Sequence, residues 1–370
     1  MACCSSTPHP IPPHVGGGDR CPAPGSAPSS PLALRAALVL LGALFFVPAA
    51  KAQAPLVVRM ATLVPDGSTW HLILKETGEK WKAISGGRVT VRLFPGGVAG
   101  DDPDVVRKMR LGTLNAGLLT SVGVAEIDKS VYALGVPLMY DSYEEVYYVL
   151  EKMRPRLEAS LEAKGFVVLN WADGGWVRFF TQKPVAVPDD LRAQKLFSWA
   201  GDAEAVSVWR SAGFNPVPLP STEIATALQT GLVTALGSPP QVAVIAQFFN
   251  NAKNMTDLRW QLLLGATVIT KATWEKVPAD LRPALLEATR EAGRRLQQEI
   301  KDSEAKDIEA MRKRGLNVVT LTGRQRAEWQ KLTETLYSKI RGPIVPPEAF
   351  DEALRYRDEY RKQRGGAGGR

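Results

Sequence analysis

Along the chain, apolar and polar positions alternate between two periods. Leu56-Val57-Val58-Arg59-Met60-Ala61 is a short apolar run that stops at Pro65-Asp66-Gly67-Ser68, the pattern of a strand, a turn and a helix cap. Leu72, Ile73, Thr77 and Trp81 then recur at helical spacing until Gly86-Gly87. Val89, Val91 and Leu93 alternate with Arg88, Thr90 and Arg92, as in a half-buried strand. Asp102 before Pro103 predicts an N-cap with proline in the first helical position and a helix ending near Gly112. Ala116 to Thr120 is a third small apolar run. Ser142-x-x-Glu145 forms a capping box that opens a helix from Tyr143 to about Met153. Gly165 to Trp171 reads as a strand again. This alternation predicts an α/β fold with mostly parallel sheets covered by helices.

A second unit starts around Trp176. It holds the run Lys195-Leu196-Phe197-Ser198-Trp199, a helix from about Ala203 to Ala212, and Pro216-Val217-Pro218-Leu219-Pro220. Ser221 is expected to cap a helix carrying Ile224 and Leu228, with its stop at Gly231. From Leu285 to Met311 apolar residues recur every three or four positions, predicting one long amphipathic helix that ends at Lys313-Arg314-Gly315. Thr322-x-x-Gln325 caps one more helix, and residues 362–370 are expected to be disordered.

The N-terminus sets the compartment. Leu32 to Ala50 is an apolar stretch followed by Lys51-Ala52-Gln53-Ala54, an export leader with an A-x-A cleavage signal after Ala54. The stretch is short for a spanning helix, so export to the periplasm is expected, with retention as an N-terminal anchor the other possibility.

Residue counts then narrow the chemistry. Cys3, Cys4 and Cys21 all precede the cut, as do His9 and His14, leaving His71 as the only histidine of the mature chain. That excludes disulfides, a thiol nucleophile and a histidine-rich metal site, and leaves a Ser-His-Asp triad only His71, which reads as a surface or packing residue at a helix start. No glycine-rich phosphate loop occurs, and no cofactor, metal or catalytic residue is expected. The net charge of +8 comes from interleaved charges rather than blocks, so nucleic acid is not expected as a partner.

Several stretches together resemble the DctP-type solute receptors of TRAP transporters. They are Val57 to Gly67, Gly86-Gly87-Arg88-Val89, the segment VRKMRLGTLNA from Val106 to Ala116, Asp190 to Lys195, and Pro218 to Ile224 with Ala227 to Gly231. The resemblance implies a two-lobed periplasmic-binding-protein fold with hinge strands, a long lobe-spanning helix, closure on a small-molecule ligand and delivery to membrane permease subunits. On that basis residues 1–54 are leader, 55–175 with 268–312 form lobe I, and 176–267 with 313–361 form lobe II. A stand-alone carrier or sensor is the second reading; an enzyme or a non-binding envelope protein fits the residues less well.

The family's carboxylate-binding arginine follows a K-x element, and here Lys195-Leu196 is followed by Phe197. A guanidinium offers paired, charge-assisted hydrogen bonds to a carboxylate, and phenylalanine offers none. Arg178 matches a secondary arginine of the family, with a salt bridge to Asp173 or a hinge contact as its structural alternative. Phe197, Trp199, Trp171 and Trp176 are expected to wall the cleft, with Ser238, Ser121 and Pro65 as further ligand contacts. The expected ligand is therefore apolar or aromatic, or weakly acidic if Arg178 reaches it.

Overall fold

The organising element is the strand β4 (Phe166–Thr181), which passes through both lobes. The computed structural model describes residues 54–367; the expected leader lies outside the described residues. In the first sheet the strand order is β2 (Val89–Phe94), β1 (Leu56–Thr62), β3 (Ala116–Thr120), β9 (Gln261–Thr270) and the first part of β4. Strand β1 is parallel to β2 and β3, whereas β9 runs antiparallel to β3 and β4. In the second sheet the end of β4 pairs antiparallel with β7 (Ala235–Ser238), which leads to β5 (Lys195–Trp199) and β6 (Asn215–Leu219) in parallel. Strands β8 (Asn254–Thr256) and β10 (Asn317–Val319) complete that side. The sheet is mixed, and its parallel pairs belong to the βαβ units read from the sequence.

Almost every residue of β4 is buried, as expected for a strand covered on both faces. Its pairing with β9 slips between Asp173 and Trp176, where Gly175 adopts a φ of +94°. A side chain there would also come within 3.1 Å of Ile300, so glycine answers both the left-handed backbone and the close approach. The strand changes sheets just beyond this bulge. Trp176 and Val177 still pair with β9, and Arg178 pairs with Ser238 of β7.

The helices are α1 (Thr69–Ile84), α2 (Asp102–Arg110), α3 (Ser121–Ala125), α4 (Tyr143–Ala163), α5 (Pro188–Arg192) and α6 (Ala203–Ser211), then α7 (Ile224–Thr230), α8 (Pro240–Ile245), α9 (Lys271–Trp274), α10 (Arg282–Lys313), α11 (Gly323–Ile340) and α12 (Pro347–Ala367). The long α10 packs on β4, on α1 of lobe I and on α8 of lobe II. Its buried stripe runs through Leu285, Leu296, Ile300 and Met311. Gly293 lets it approach β4 closely, since a Cβ there would sit 2.4 Å from the Asn170 side-chain nitrogen.

Several local expectations change. Helix α4 continues past Met153 to Ala163 despite Pro155, because Leu157 and Leu161 extend its buried stripe. The cap of α2 is Asp101, not Asp102; the Asp102 carboxylate is fully buried and accepts from Thr120 N–H and Oγ1. Ser221 opens a 3-10 turn and makes no cap, its hydroxyl being turned toward Asp101. Strand β9 joins the first sheet from Gln261, ahead of the expected return at 268. The tail beyond 361 is helical as far as Ala367, within α12, which docks on α4. Arg361 just before this segment reaches Glu145, and Gln363 within it donates to Tyr148; residues 368–370 lie outside the described residues.

Candidate ligand cleft

A cavity of about 420 Å³ lies between the lobes, at the C-terminal ends of β1, β3 and β5. This is where open α/β sheets place their ligands, because the loops leaving strand ends diverge there. Lobe I contributes Pro65 after β1, Trp70 from α1 and Ser121 at the start of α3. Lobe II contributes Phe197 and Trp199 from one face of β5, and Leu196 and Ser198 from the other. Phe197 and Trp199 meet edge-to-face with centroids 5.5 Å apart. Ser238 at the end of β7 also lines the cavity.

Tyr132, Phe179, Trp209, Trp260 and Ile340 line the same cavity. Trp209 and Trp260 stack at 5.8 Å, and Phe179 approaches Trp260 at 5.2 Å. Among the described residues of the wall there is no lysine, arginine or histidine, and the one charged side chain is Asp202. Asp202 caps α6 by accepting from Ala205 N–H, and it accepts from the Tyr132 hydroxyl at 2.8 Å. At the mouth the lobes touch: a Cβ on Gly97 would lie 2.7 Å from Thr222, and one on Gly201 would lie 2.9 Å from Pro103.

Three of the expected site residues lie elsewhere. The Arg178 side chain is buried behind the cavity wall, where its guanidinium donates to Glu304 of α10, with Asp257 at 3.8 Å. Its partner is thus Glu304 rather than Asp173. Glu304 also accepts from the Tyr143 hydroxyl and faces Arg259 at 3.4 Å. Burial works to raise the Glu304 pKa; the Arg178 and Arg259 guanidiniums outweigh it and hold the carboxyl below its usual range. Trp171 turns toward α4 and donates to Glu158 at 3.0 Å. Trp176 packs edge-to-face on Tyr143 under the hinge bulge. Alternation along β4 and the sheet change after Val177 point these side chains away from the cavity.

Asp173 is likewise spoken for. It accepts from the Tyr147 hydroxyl at 2.7 Å and from Gly175 N–H at 3.1 Å, pinning the bulge. Burial pushes its pKa up to about 6. Among the described residues no cluster of His, Cys, Asp and Glu could hold a metal ion.

The sequence profile of DctP, the bacterial extracellular solute-binding protein family 7, matches residues 60–342. The chain belongs to that family. Proteins of the DctP family are periplasmic substrate-binding receptors, and this chain is a receptor rather than an enzyme. The chain is 27% identical over 254 residues to the 2,3-diketo-L-gulonate-binding periplasmic protein YiaO of Escherichia coli, covering 68% of this chain and 76% of that one. It is 26% identical over 294 residues to the C4-dicarboxylate-binding periplasmic protein DctP of Rhodobacter capsulatus, covering 77% and 86%. In fold it is similar to the sugar acid binding protein DctPAm of Advenella mimigardefordensis in complex with galactonate, with a TM-score of 0.77, 18% identity, and 82% and 98% of the two chains covered. A TRAP periplasmic solute-binding protein of Sulfurospirillum deleyianum with bound succinate matches with a TM-score of 0.74, 21% identity and coverage of 82% and 98%.

Within this DctP-family fold, Trp70, Tyr132, Phe179, Trp209 and Trp260 reach the cavity without having been singled out in the sequence. Trp70 carried a usable signal, because it opens the helix after the first strand's loop. The others come from separate elements and meet only once the lobes are packed.

Proposed function

We propose that the protein is the periplasmic receptor of a TRAP-type transporter. It captures a small apolar or aromatic organic molecule that lacks a carboxylate, and delivers it to membrane permease subunits. One observation supports the ligand class above all: a cavity wall of aromatic and aliphatic side chains with no cation among its described residues. Burying a carboxylate there would leave it without a charge-assisted partner and beside Asp202, which costs several kcal/mol, roughly 2–5. Apolar surface entering the same wall is stabilised by about 25 cal/mol per Å². Arg178 does not rescue an acidic ligand, since its guanidinium is engaged by Glu304. The contacts proposed for the ligand are Phe197, Trp199, Ser238, Ser121 and Pro65, joined by Trp70.

The test is mass spectrometry of small molecules released from the mature protein, purified under mild conditions from its native periplasm. An apolar or aromatic compound without a carboxylate, near one per protein, is the expected result. A dicarboxylate or sugar acid would overturn the ligand class and leave the receptor assignment in place.

A further inference from the structure

The part of the cavity wall around Asp202 and Tyr132 has a chemistry of its own. Asp202 sits at its edge with no lysine, arginine or histidine nitrogen within 4.0 Å among the described residues, although both of its oxygens accept hydrogen bonds. Lys129, three residues before Tyr132, is engaged by Glu204 at 2.6 Å. Burial, with the negative charges of Asp202, Glu126 and Glu204 around it, pushes the Tyr132 phenol well above its usual range. This part of the wall is thus aromatic, with Asp202 as its one charged side chain among the described residues. Aromatic faces attract cations as well as apolar surface. On the same wall Ser198 is 6% exposed, and its hydroxyl oxygen has no hydrogen-bond partner. A buried hydroxyl left unpaired is destabilising, so Ser198 is a second polar group of the wall that has no partner among the described residues.

From this we infer that the ligand is a small organic ammonium compound, its cationic nitrogen seated against Asp202, Tyr132 and Ser198 and its apolar body among Phe179, Trp209 and Trp260. This inference rests on the cavity being the ligand site, as proposed above, and adds the sign of the ligand's charge. One oxygen of the carboxylate caps α6 and the other accepts from Tyr132, and each keeps a further lone pair for an ammonium donor.

The test uses three probes of matched shape, 2-phenylethylammonium, 2-phenylethanol and phenylacetate, titrated calorimetrically into the mature protein and into its Asp202→Asn variant. Asparagine retains the cap of α6, so the variant is expected to fold, which its melting temperature checks. The expected order is ammonium tightest, alcohol weaker and carboxylate weakest. In Asp202→Asn the ammonium should lose about tenfold or more in Kd while the alcohol is unchanged, as for loss of one charge-assisted contact. If the variant does not fold, ionic strength gives the second reading in the native protein: added salt should weaken the ammonium selectively. Equal binding of ammonium and alcohol, or an ammonium affinity indifferent to Asp202→Asn, overturns the inference but leaves the apolar cavity as the site. Tightest binding by phenylacetate overturns both.

Discussion

Asp101 of lobe I accepts two hydrogen bonds from Ser221 of lobe II, from the backbone N–H at 2.6 Å and from the hydroxyl at 3.0 Å. The indole N–H of Trp199, whose ring walls the cavity, points at the same carboxylate at 3.4 Å. Asp101 meanwhile caps α2 by accepting from Asp102 N–H at 2.8 Å. One side chain therefore joins the two lobes at the mouth and touches a wall of the ligand cavity. A ligand that packs against Trp199 and holds its indole in place favours the joined arrangement.

Asp101→Ala should loosen that joint. Each lost contact is a hydrogen bond to a charged acceptor, so the closed arrangement should lose about 1–3 kcal/mol. Small-angle scattering should show a larger radius of gyration at sub-saturating ligand, and stopped-flow release should be faster. Unchanged release kinetics would show that the mouth contacts do not control closure.

Glu304→Gln leaves the buried Arg178 guanidinium without its principal countercharge. Removing one partner of a buried pair typically costs about 3–5 kcal/mol. Urea denaturation should show the midpoint falling with an unchanged slope. Because the Glu304 carboxyl is held below its usual range, its contribution is present above the ordinary carboxylate pKa and is lost as the pH falls through its folded pKa. The native protein should therefore lose stability in strong acid more steeply than the glutamine variant.

Asp102 predicts a pH dependence of the opposite sign. Burial raises its pKa from 3.8 to about 7, against hydrogen bonds from Thr120 that lower it. Between those values the folded chain binds a proton that the unfolded chain has released. Its favourable contribution is full below about pH 4 and is lost as the pH rises through about 7, at most about 4 kcal/mol at 1.36 kcal/mol per unit. Asp173, raised to about 6, acts in the same direction. The unfolding free energy should fall between about pH 4 and pH 7, and Asp102→Asn should flatten that fall. A variant with the native slope would assign the dependence to other groups.

Phe197→Arg places a guanidinium in the cavity wall, at the position that carries the carboxylate-binding arginine in the resemblance. Binding of succinate or galacturonate should strengthen by about tenfold or more, reading one bidentate pair as at least 1.4 kcal/mol. The melting temperature should fall, because Phe197 packs in a buried cluster with Ile224, Leu236 and Phe248. Thermal shift with and without each acid reads both effects, and the absence of any carboxylate gain would sink the clamp argument.

Much of the scaffold was written in local pattern. The stripe from Leu285 to Met311 determined α10 and the box at Thr322 and Gln325 determined the start of α11, because period and cap chemistry act within a few residues. Phe197 and Trp199 were legible as cavity residues, standing at the end of a strand whose neighbours resemble a known family. Trp171, Trp176 and Arg178 were not separable from them by type alone. Their fate was decided by a bulge at Gly175 and by Glu304, far along the chain on α10. Asp202 and Tyr132 likewise meet only across the lobes. By itself the sequence determined the alternation of elements and the resemblance to the family. The tertiary structure decided which aromatics wall the cavity, which arginine is consumed in an ion pair and which carboxylate joins the lobes. The physical reason is range: periodicity and capping are local, whereas the pairing of buried charges depends on which distant surfaces the fold brings into contact.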